Sequence, residues 1–235
     1  MKQERRARQH AAIRDEIKDT ARAHMARDGA AALSLRAVAS EMGLSSAAIY
    51  YYYANRDALI TDLIVDAYRA MGASLRAEGE RMADTDVAER LLSAMLAYRS
   101  WAVAHPAEYA LLFGTPIPGY VGPADITAPE ARATLSVFGE LFGIAAAQGR
   151  LDAGLADLPL PPSITAHTAA WMQDTSEQMP MPVLIATLRC WAIGHGLVGL
   201  ELDSHLQPII GDVAALYEHE ARALLRGLGV RASGS

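Results

Sequence analysis

Residues 34–60 read SLRAVASEMGLSSAAIYYYYANRDALI, and three helix starts crowd into that one stretch. Ser34 can cap a helix carrying Val38 and Met42, because its hydroxyl oxygen accepts from a first-turn N–H that has no partner within the helix. Gly43 closes that helix where a left-handed residue is wanted. Ser45 can cap a second short helix, Ser46 to about Tyr52, and Asn55 a third whose stripe runs Leu59/Ile60, Leu63/Ile64, Ala67, Met71. Four consecutive tyrosines, 50–53, cannot all be core: on a strand they would alternate faces, and on a helix they would spread around it.

A short helix, a turn centred on Gly43-Leu44-Ser45 and a second short helix make a helix-turn-helix layout. Ala39 lets the two helices cross closely, and Val38, Leu44 and Ile49 bury the corner. The second helix is then the reader. Ser45, Ser46, Ala47 and Ala48 at its start are small enough to bring backbone against base edges, and hydroxyls with helix N-terminal amides suit phosphate. A helical corner used only for packing would carry the same spacing.

Working outward, Ile13, Ile17, Ala21 and His24/Met25 form a helical stripe that stops before Asp28-Gly29. Ahead of it, Lys2, Arg5, Arg6, Arg8 and Arg14 form a basic arm of the kind that neutralises phosphate or enters a minor groove. The net charge of −6 hides an asymmetry. Residues 1–60 hold ten Lys/Arg and seven Asp/Glu, or +3, and the remainder eleven and twenty, or −9.

Beyond residue 80 the helices lengthen. Stripes run Val87, Leu91, Met95, Tyr98, Trp101/Ala102, His105, and then Leu135, Phe138, Leu141/Phe142, Ala145. GTPIPGYVGP at 114–123 enforces a loop, and LPLPP at 158–162 punctuates the chain again. Two final seams follow helical spacing: Leu184, Leu188, Trp191, His195, Val198, Leu202, and Ile209/Ile210, Val213, Leu216/Tyr217, Ala221, Leu224/Leu225, Leu228. They imply bundle packing within a subunit or between subunits. No period-2 alternation appears, so the expected class is all-α: an N-terminal three-helix helix-turn-helix domain, residues 1–56, joined to a larger helical bundle, residues 57–235, through a connecting helix at about 57–82.

The N-terminus lacks the apolar run of a secretory signal, and no uninterrupted apolar stretch approaches the roughly 20 residues that span a bilayer. A cytoplasmic protein with no membrane partner is expected. The single cysteine, Cys190, excludes an intrachain disulfide and reads as a small core residue.

The stretch from Ser34 to Ile60 resembles the signature of tetracycline-repressor-type (TetR family) transcriptional regulators. Ser34, Arg36, Val38, Ala39, Gly43, Leu44, Ser45, Ile49, Tyr50, Tyr53, Arg56 and Leu59 stand at matching positions. The resemblance implies a homodimer on double-stranded operator DNA, with each recognition helix in a major groove of a palindrome and an unknown small-molecule effector that releases it. It also implies that Tyr50, Tyr51 and Tyr52 face phosphates and thymine methyls, that Arg56 holds a phosphate, and that Arg36 contacts base or backbone. Three departures stand out: Ser46-Ala47 replaces a common Lys-Gly or Pro-Gly pair, Tyr52 replaces a histidine, and Tyr53 replaces a phenylalanine. The last asks a core ring to find a partner for its hydroxyl.

Trp191-Ala-Ile-Gly-His195-Gly196, with FGTPIPGY at 113–120, resembles the regulatory domain of a TetR subgroup named for its Trp, His and Gly. Ala192, Gly196 and Gly199 form a small-residue face, and because the family dimerises through its last long helices they are expected at a dimer interface with Val213, Tyr217 and Leu224. Trp101, Tyr109, Phe113, Trp171, Met172, Trp191 and His195 could line an effector pocket, although the same residues at helical spacing also read as plain core.

Rival chemistries are weak. Gly194–Gly199 matches GxGxxG but sits in a helical stripe with no strand before it, and His219-Glu220 lacks the second histidine of HExxH. No catalytic residues, metal or cofactor are expected. The alternatives are a helical protein-interaction module that does not bind DNA and, further off, an enzyme using the C-terminal helices.

Overall fold

The computed structural model describes residues 1–154, 159–175 and 179–231. Helix α1 (Lys2–Asp28) takes in the basic arm, and it ends where Gly29 turns to φ 81° and returns its N–H to the Met25 carbonyl at 2.8 Å. A single 3₁₀ turn (Ala30–Ala32) leads into α2 (Leu35–Glu41), α3 (Ser46–Ile49) and α4 (Arg56–Arg81). Each start sits on the cap the sequence supplies. Ser34 Oγ accepts from Ala37 N at 3.1 Å, Ser45 Oγ from Ala48 N at 3.2 Å, and Asn55 Oδ1 from Ala58 N at 2.8 Å. Gly43 adopts φ 67°, which lets Leu44 N donate back to the Ala39 carbonyl at 2.8 Å.

Helix α3 is shorter than its spacing suggests, ending at Ile49 and not near Tyr52. The amides of Tyr51 and Tyr52 bond only three residues back, to Ala48 at 3.2 Å and Ile49 at 2.9 Å, so the last turn tightens and the tyrosines point in different directions.

Helices α5 (Val87–Ala104), α6 (Pro106–Phe113), α7 (Ala124–Ala147), α8 (Pro162–Thr175), α9 (Met181–Leu202), α10 (Gln207–Ile210) and α11 (Val213–Gly227) complete the described chain, which contains no strand among those residues. Of LPLPP, Leu158 lies outside the described residues.

The chain forms two compact units: Met1–Ala70 with Ala104–Arg132, and Met71–Val103 with Ala133–Ser235. In the first, Ile17, Ala21 and Met25 of α1 meet Leu35, Val38 and Ala39 of α2, Ile49, Tyr53, and Leu59, Ile60 and Leu63 of α4. Helix α6 adds Leu111 to this core, and Ile117 and Tyr120 of the 114–123 loop pack on it. Tyr120 Oη lies 3.0 Å from Thr61 Oγ1. This compact unit therefore extends beyond the helix-turn-helix, because hydrophobic spacing marks which residues are buried but not which surface a loop folds onto.

In the second unit α5, α7, α9 and α11 bury Leu91, Met95, Tyr98, Phe138, Phe142, Cys190, Val198, Tyr217 and Leu225. Arg99 donates to Glu201 through two bonds of 2.7 and 2.5 Å, and Arg150 to Asp86 through two of 2.8 Å. The final seam is two helices, not one. Gly211 takes φ 74° and Asp212 Oδ1 caps α11 by accepting from Ala215 N at 2.9 Å. Val213 and Tyr217, expected at a dimer interface, lie inside this subunit's own core, where Tyr217 Oη donates to the Met95 carbonyl at 3.0 Å. A seam at helical spacing satisfies either role, and α5 and α9 reach it within the subunit.

Gly43→Ala forces a Cβ into the left-handed region, so a loss of about 1–2 kcal/mol in unfolding free energy is expected, measured by urea denaturation.

Candidate functional site

The tyrosines divide by position. Tyr50 is 48% and Tyr51 76% exposed, whereas Tyr53 is 2% exposed. Tyr53 Oη donates to Asp62 Oδ2 at 3.0 Å, Arg14 lies 4.7 Å above the ring centroid, and Arg14 also pairs with Asp62. Burial pushes the Tyr53 phenol above its ordinary value, which keeps it protonated and donating. A tyrosine thus occupies a phenylalanine site because α4 presents a carboxylate one turn beyond the corner.

Tyr52, expected at a phosphate, is half-buried, with its ring 4.8 Å from His10 and edge-on to Tyr51 at 5.2 Å. His10 also meets Tyr51 at 5.5 Å in a T-shaped contact. The sequence carries a signal for His10 that no motif includes: it precedes Ile13 by three residues, on the stripe that α1 turns toward the reader.

At the start of α3, Ser45, Ser46 and Ala47 are exposed and Ala48 is half-buried. The Ser45 oxygen is engaged as a cap, which leaves the Ser46 hydroxyl and the Ala47 backbone at the surface. Arg36 projects from the first turn of α2 with no hydrogen bond or ion pair among the described residues. Arg56 is tethered, donating from Nε to Asp57 Oδ1 and from Nη2 to the Pro118 carbonyl, both at 3.2 Å. Its guanidinium joins the start of α4 to the 114–123 loop, a contact 62 residues apart that spacing cannot reveal.

The seven candidate effector residues fall in different units. Tyr109 and Phe113 belong to the first, where their rings lie 5.1 Å apart and Tyr68 meets Phe113 edge-on at 6.1 Å. Trp101 (buried), Trp171 (exposed), Met172 (half-buried), Trp191 and His195 belong to the second. There a cavity of about 10 Å³, room for a single water, is lined by Met95, Tyr98, Phe138, Cys190, Trp191, Gly194 and Tyr217. The Trp191 Nε1–H is buried without a hydrogen-bond partner among the described residues. His195 lies 5.5 Å from the Trp191 ring, with Nδ1 3.4 Å from Tyr98 Oη, and desolvation lowers its pKa so that the ring is neutral near pH 7. Burial pushes the Cys190 thiol up to about 12, which keeps it protonated and a poor nucleophile at neutral pH. Of the other residues expected at a subunit interface, Ala192 and Gly196 are exposed and Gly199 and Leu224 half-buried.

Residues 17–63 match the model for bacterial regulatory proteins of the tetR family, and residues 91–224 match the tetracyclin repressor-like C-terminal domain. The chain belongs to the TetR family. It is 31% identical over 215 residues, 91% of each chain, to the HTH-type transcriptional regulators Rv1816 of Mycobacterium tuberculosis (strain ATCC 25618 / H37Rv) and Mb1846 of Mycobacterium bovis (strain ATCC BAA-935 / AF2122/97). The crystal structure of regulatory protein SCO4313 is 36% identical, with a TM-score of 0.72 and coverage of 94% of this chain and 98% of that one. The SmeT–triclosan complex shares the fold at 14% identity, with a TM-score of 0.62 and coverage of 95% and 96%. This TetR protein is accordingly a helix-turn-helix transcriptional regulator and not an enzyme. Its GxGxxG match, Gly194–Gly199, lies inside α9, where no strand precedes it to build a dinucleotide site.

Tyr53→Phe should cost about 1 kcal/mol of stability in urea unfolding, because Asp62 loses one donor and keeps Arg14. Asp62→Asn, which weakens both contacts, should cost more in the same measurement.

Proposed function

We propose that this TetR protein is a ligand-responsive repressor that binds a palindromic operator as a homodimer and is released by a small-molecule effector. The observation that carries the reading is the capped reader: α3 begins with small exposed residues, and the inward turn of Tyr53 leaves Tyr50 and Tyr51 facing outward. In this reading residues 1–56 recognise DNA and 57–235 regulate and dimerise. Ser45, Ser46, Ala47 and Ala48 approach base edges, while Arg36, Tyr50, Tyr51, Tyr52 and Arg56 hold phosphates or thymine methyls. Paired major-groove readers require half-sites about 34–36 Å apart, or somewhat more. Such work lies with the chromosome in the cytoplasm.

The exposed face of α9 supports the dimer. Leu188, Ala192, Gly196 and Leu200 lie bare along it, while the opposite face buries Cys190, Val198 and a Glu201 paired with Arg99. By length and composition α9 is apolar enough to cross a bilayer, with a mean hydropathy of 1.6. A buried ion pair on one face and small residues on the other suit a helix sandwiched between its own bundle and a second copy better than one in lipid.

For the effector, the unpartnered Trp191 N–H beside neutral His195 favours a mostly apolar molecule carrying a hydrogen-bond acceptor, admitted as the small cavity opens. Trp101, Trp171 and Met172 of the same unit are the remaining candidates for contact. The SmeT neighbour, solved with triclosan, supports this class. Release requires that the effector bind the DNA-free conformation more tightly than the DNA-bound one.

The purified protein should bind a fragment of its own upstream region with steep salt dependence, each lost phosphate contact lowering the log–log slope by about 0.9. Salt-insensitive or absent binding by folded protein would overturn the reading. Replacing Ser46 or Ala47 should change the preferred operator in a randomised-site selection, whereas Arg36→Ala should weaken binding across sequences. Gly196→Arg should yield monomers in light scattering and abolish tight operator binding. Compounds that quench tryptophan fluorescence should release operator from wild type and not from Trp191→Phe.

A further inference from the structure

In the first unit six cations are paired with neighbouring carboxylates. Arg14 pairs with Asp62, Lys18 and Arg22 with Asp66, Arg27 with Glu41, Arg56 with Asp57, and Arg69 with Glu130. Arg14 therefore leaves the basic arm and becomes part of the Tyr53 site. Arg5, Arg6 and Arg8 do the opposite: all three are exposed, and none has an ion pair or side-chain hydrogen bond among the described residues. Glu4 is the one acidic residue among positions 1–14.

These arginines belong to α1 itself, and α1 is registered on the reader. The stripe that carries Ile17 and Ile13 into the core runs back at spacings of four and three to His10, whose ring packs on Tyr51 and Tyr52. Arg6 follows one further turn along that stripe, about 6 Å beyond His10 at 1.5 Å per residue. At about 100° per residue Arg5 and Arg8 lie well around the helix from Arg6, on the face they share with Glu4. Arg6 thus extends past the exposed Tyr51 on the side of α1 that meets the reader, and Arg5 and Arg8 carry charge on the other face of the same turns.

Three arginines in the first turns of a helix are unfavourable for the isolated protein. They repel one another, and they sit at the end of the helix where the backbone dipole is already positive. A polyanion laid across them would relieve both costs, and guanidinium forks match phosphate oxygens in geometry.

From this we infer that the N-terminal turns of α1 form a second DNA-contacting element, a rigid basic helix whose Arg5, Arg6 and Arg8 engage backbone phosphates flanking each half-site, aimed by the stacking of His10 on Tyr51 and Tyr52. The inference rests on the DNA-binding reading above. Each dimer accordingly covers a longer operator than its recognition helices reach, and part of its affinity does not depend on sequence. His10 is a positioning residue: it orients the arginines and contacts no phosphate.

The test compares wild type with the Arg5→Gln/Arg6→Gln/Arg8→Gln variant on an operator fragment from the protein's own upstream region. Glutamine keeps a helix propensity close to that of arginine, and circular dichroism melting checks that the fold is intact. Fluorescence anisotropy across a sodium chloride series should give a log–log slope shallower by about 0.9 for each contact removed. Hydroxyl-radical footprinting should lose protection outside the half-sites and keep it within them. His10→Ala should lose the same flanking protection with every arginine present. A triple variant with the slope and footprint of wild type would overturn the proposal while leaving the DNA-binding reading intact, and wild type that binds no fragment would sink both. Binding to phosphatidylglycerol vesicles that the variant loses, with an unchanged footprint, would assign the arginines to a lipid surface and likewise overturn it.

Discussion

The inward turn of Tyr53 is the constraint on which the DNA-facing surface depends. Its ring closes the core of the first unit, its hydroxyl donates to Asp62, and Arg14 covers the ring while pairing with that carboxylate. Three segments, α1, the corner after α3 and the first turns of α4, are pinned by one cation, one phenol and one carboxylate. Because consecutive residues of a tightened turn point in different directions, the inward Tyr53 commits Tyr50 and Tyr51 to the surface and leaves Tyr52 against His10. A phenylalanine would fill the same volume but would leave Asp62 with one donor fewer.

The distribution of charge follows the same division of labour. Arg14, Arg22 and Arg27 are matched to carboxylates on neighbouring helices, whereas Arg36 beside the reader has no such partner among the described residues. Exposed pairs of this kind contribute little to stability individually. Their effect on function is larger, since a guanidinium held by a carboxylate is less available to a phosphate. Net charge alone, −6 for the chain, conceals this entirely.

In the second unit, α9 serves two surfaces at once. One face buries Cys190, Val198 and the Arg99–Glu201 pair, and the other carries exposed leucines and small residues. Gly194 belongs to the buried face, where an added Cβ would stand 3.0 Å from Tyr217 Oη, a hydroxyl already donating to Met95. The GxGxxG pattern therefore includes a glycine needed for close helix packing, with no bearing on nucleotide chemistry.

What the sequence by itself determined was local. Ser34, Ser45 and Asn55 cap their helices, Gly43 adopts the left-handed turn, and Val38, Ala39 and Ile49 bury the corner, because caps and helical stripes depend on neighbours within a few residues. Family membership was legible for the same reason, since its signature is a local one. What only the tertiary structure decided were partnerships across long separations: Arg56 with Pro118, Arg14 with Asp62, His10 with the tyrosines, and Tyr217 with Met95. The seam through Val213 and Tyr217 had the spacing of an interface and of a core alike. Periodicity reports that a helix has an apolar face; which surface covers that face depends on how the chain is threaded, and that is not a local property.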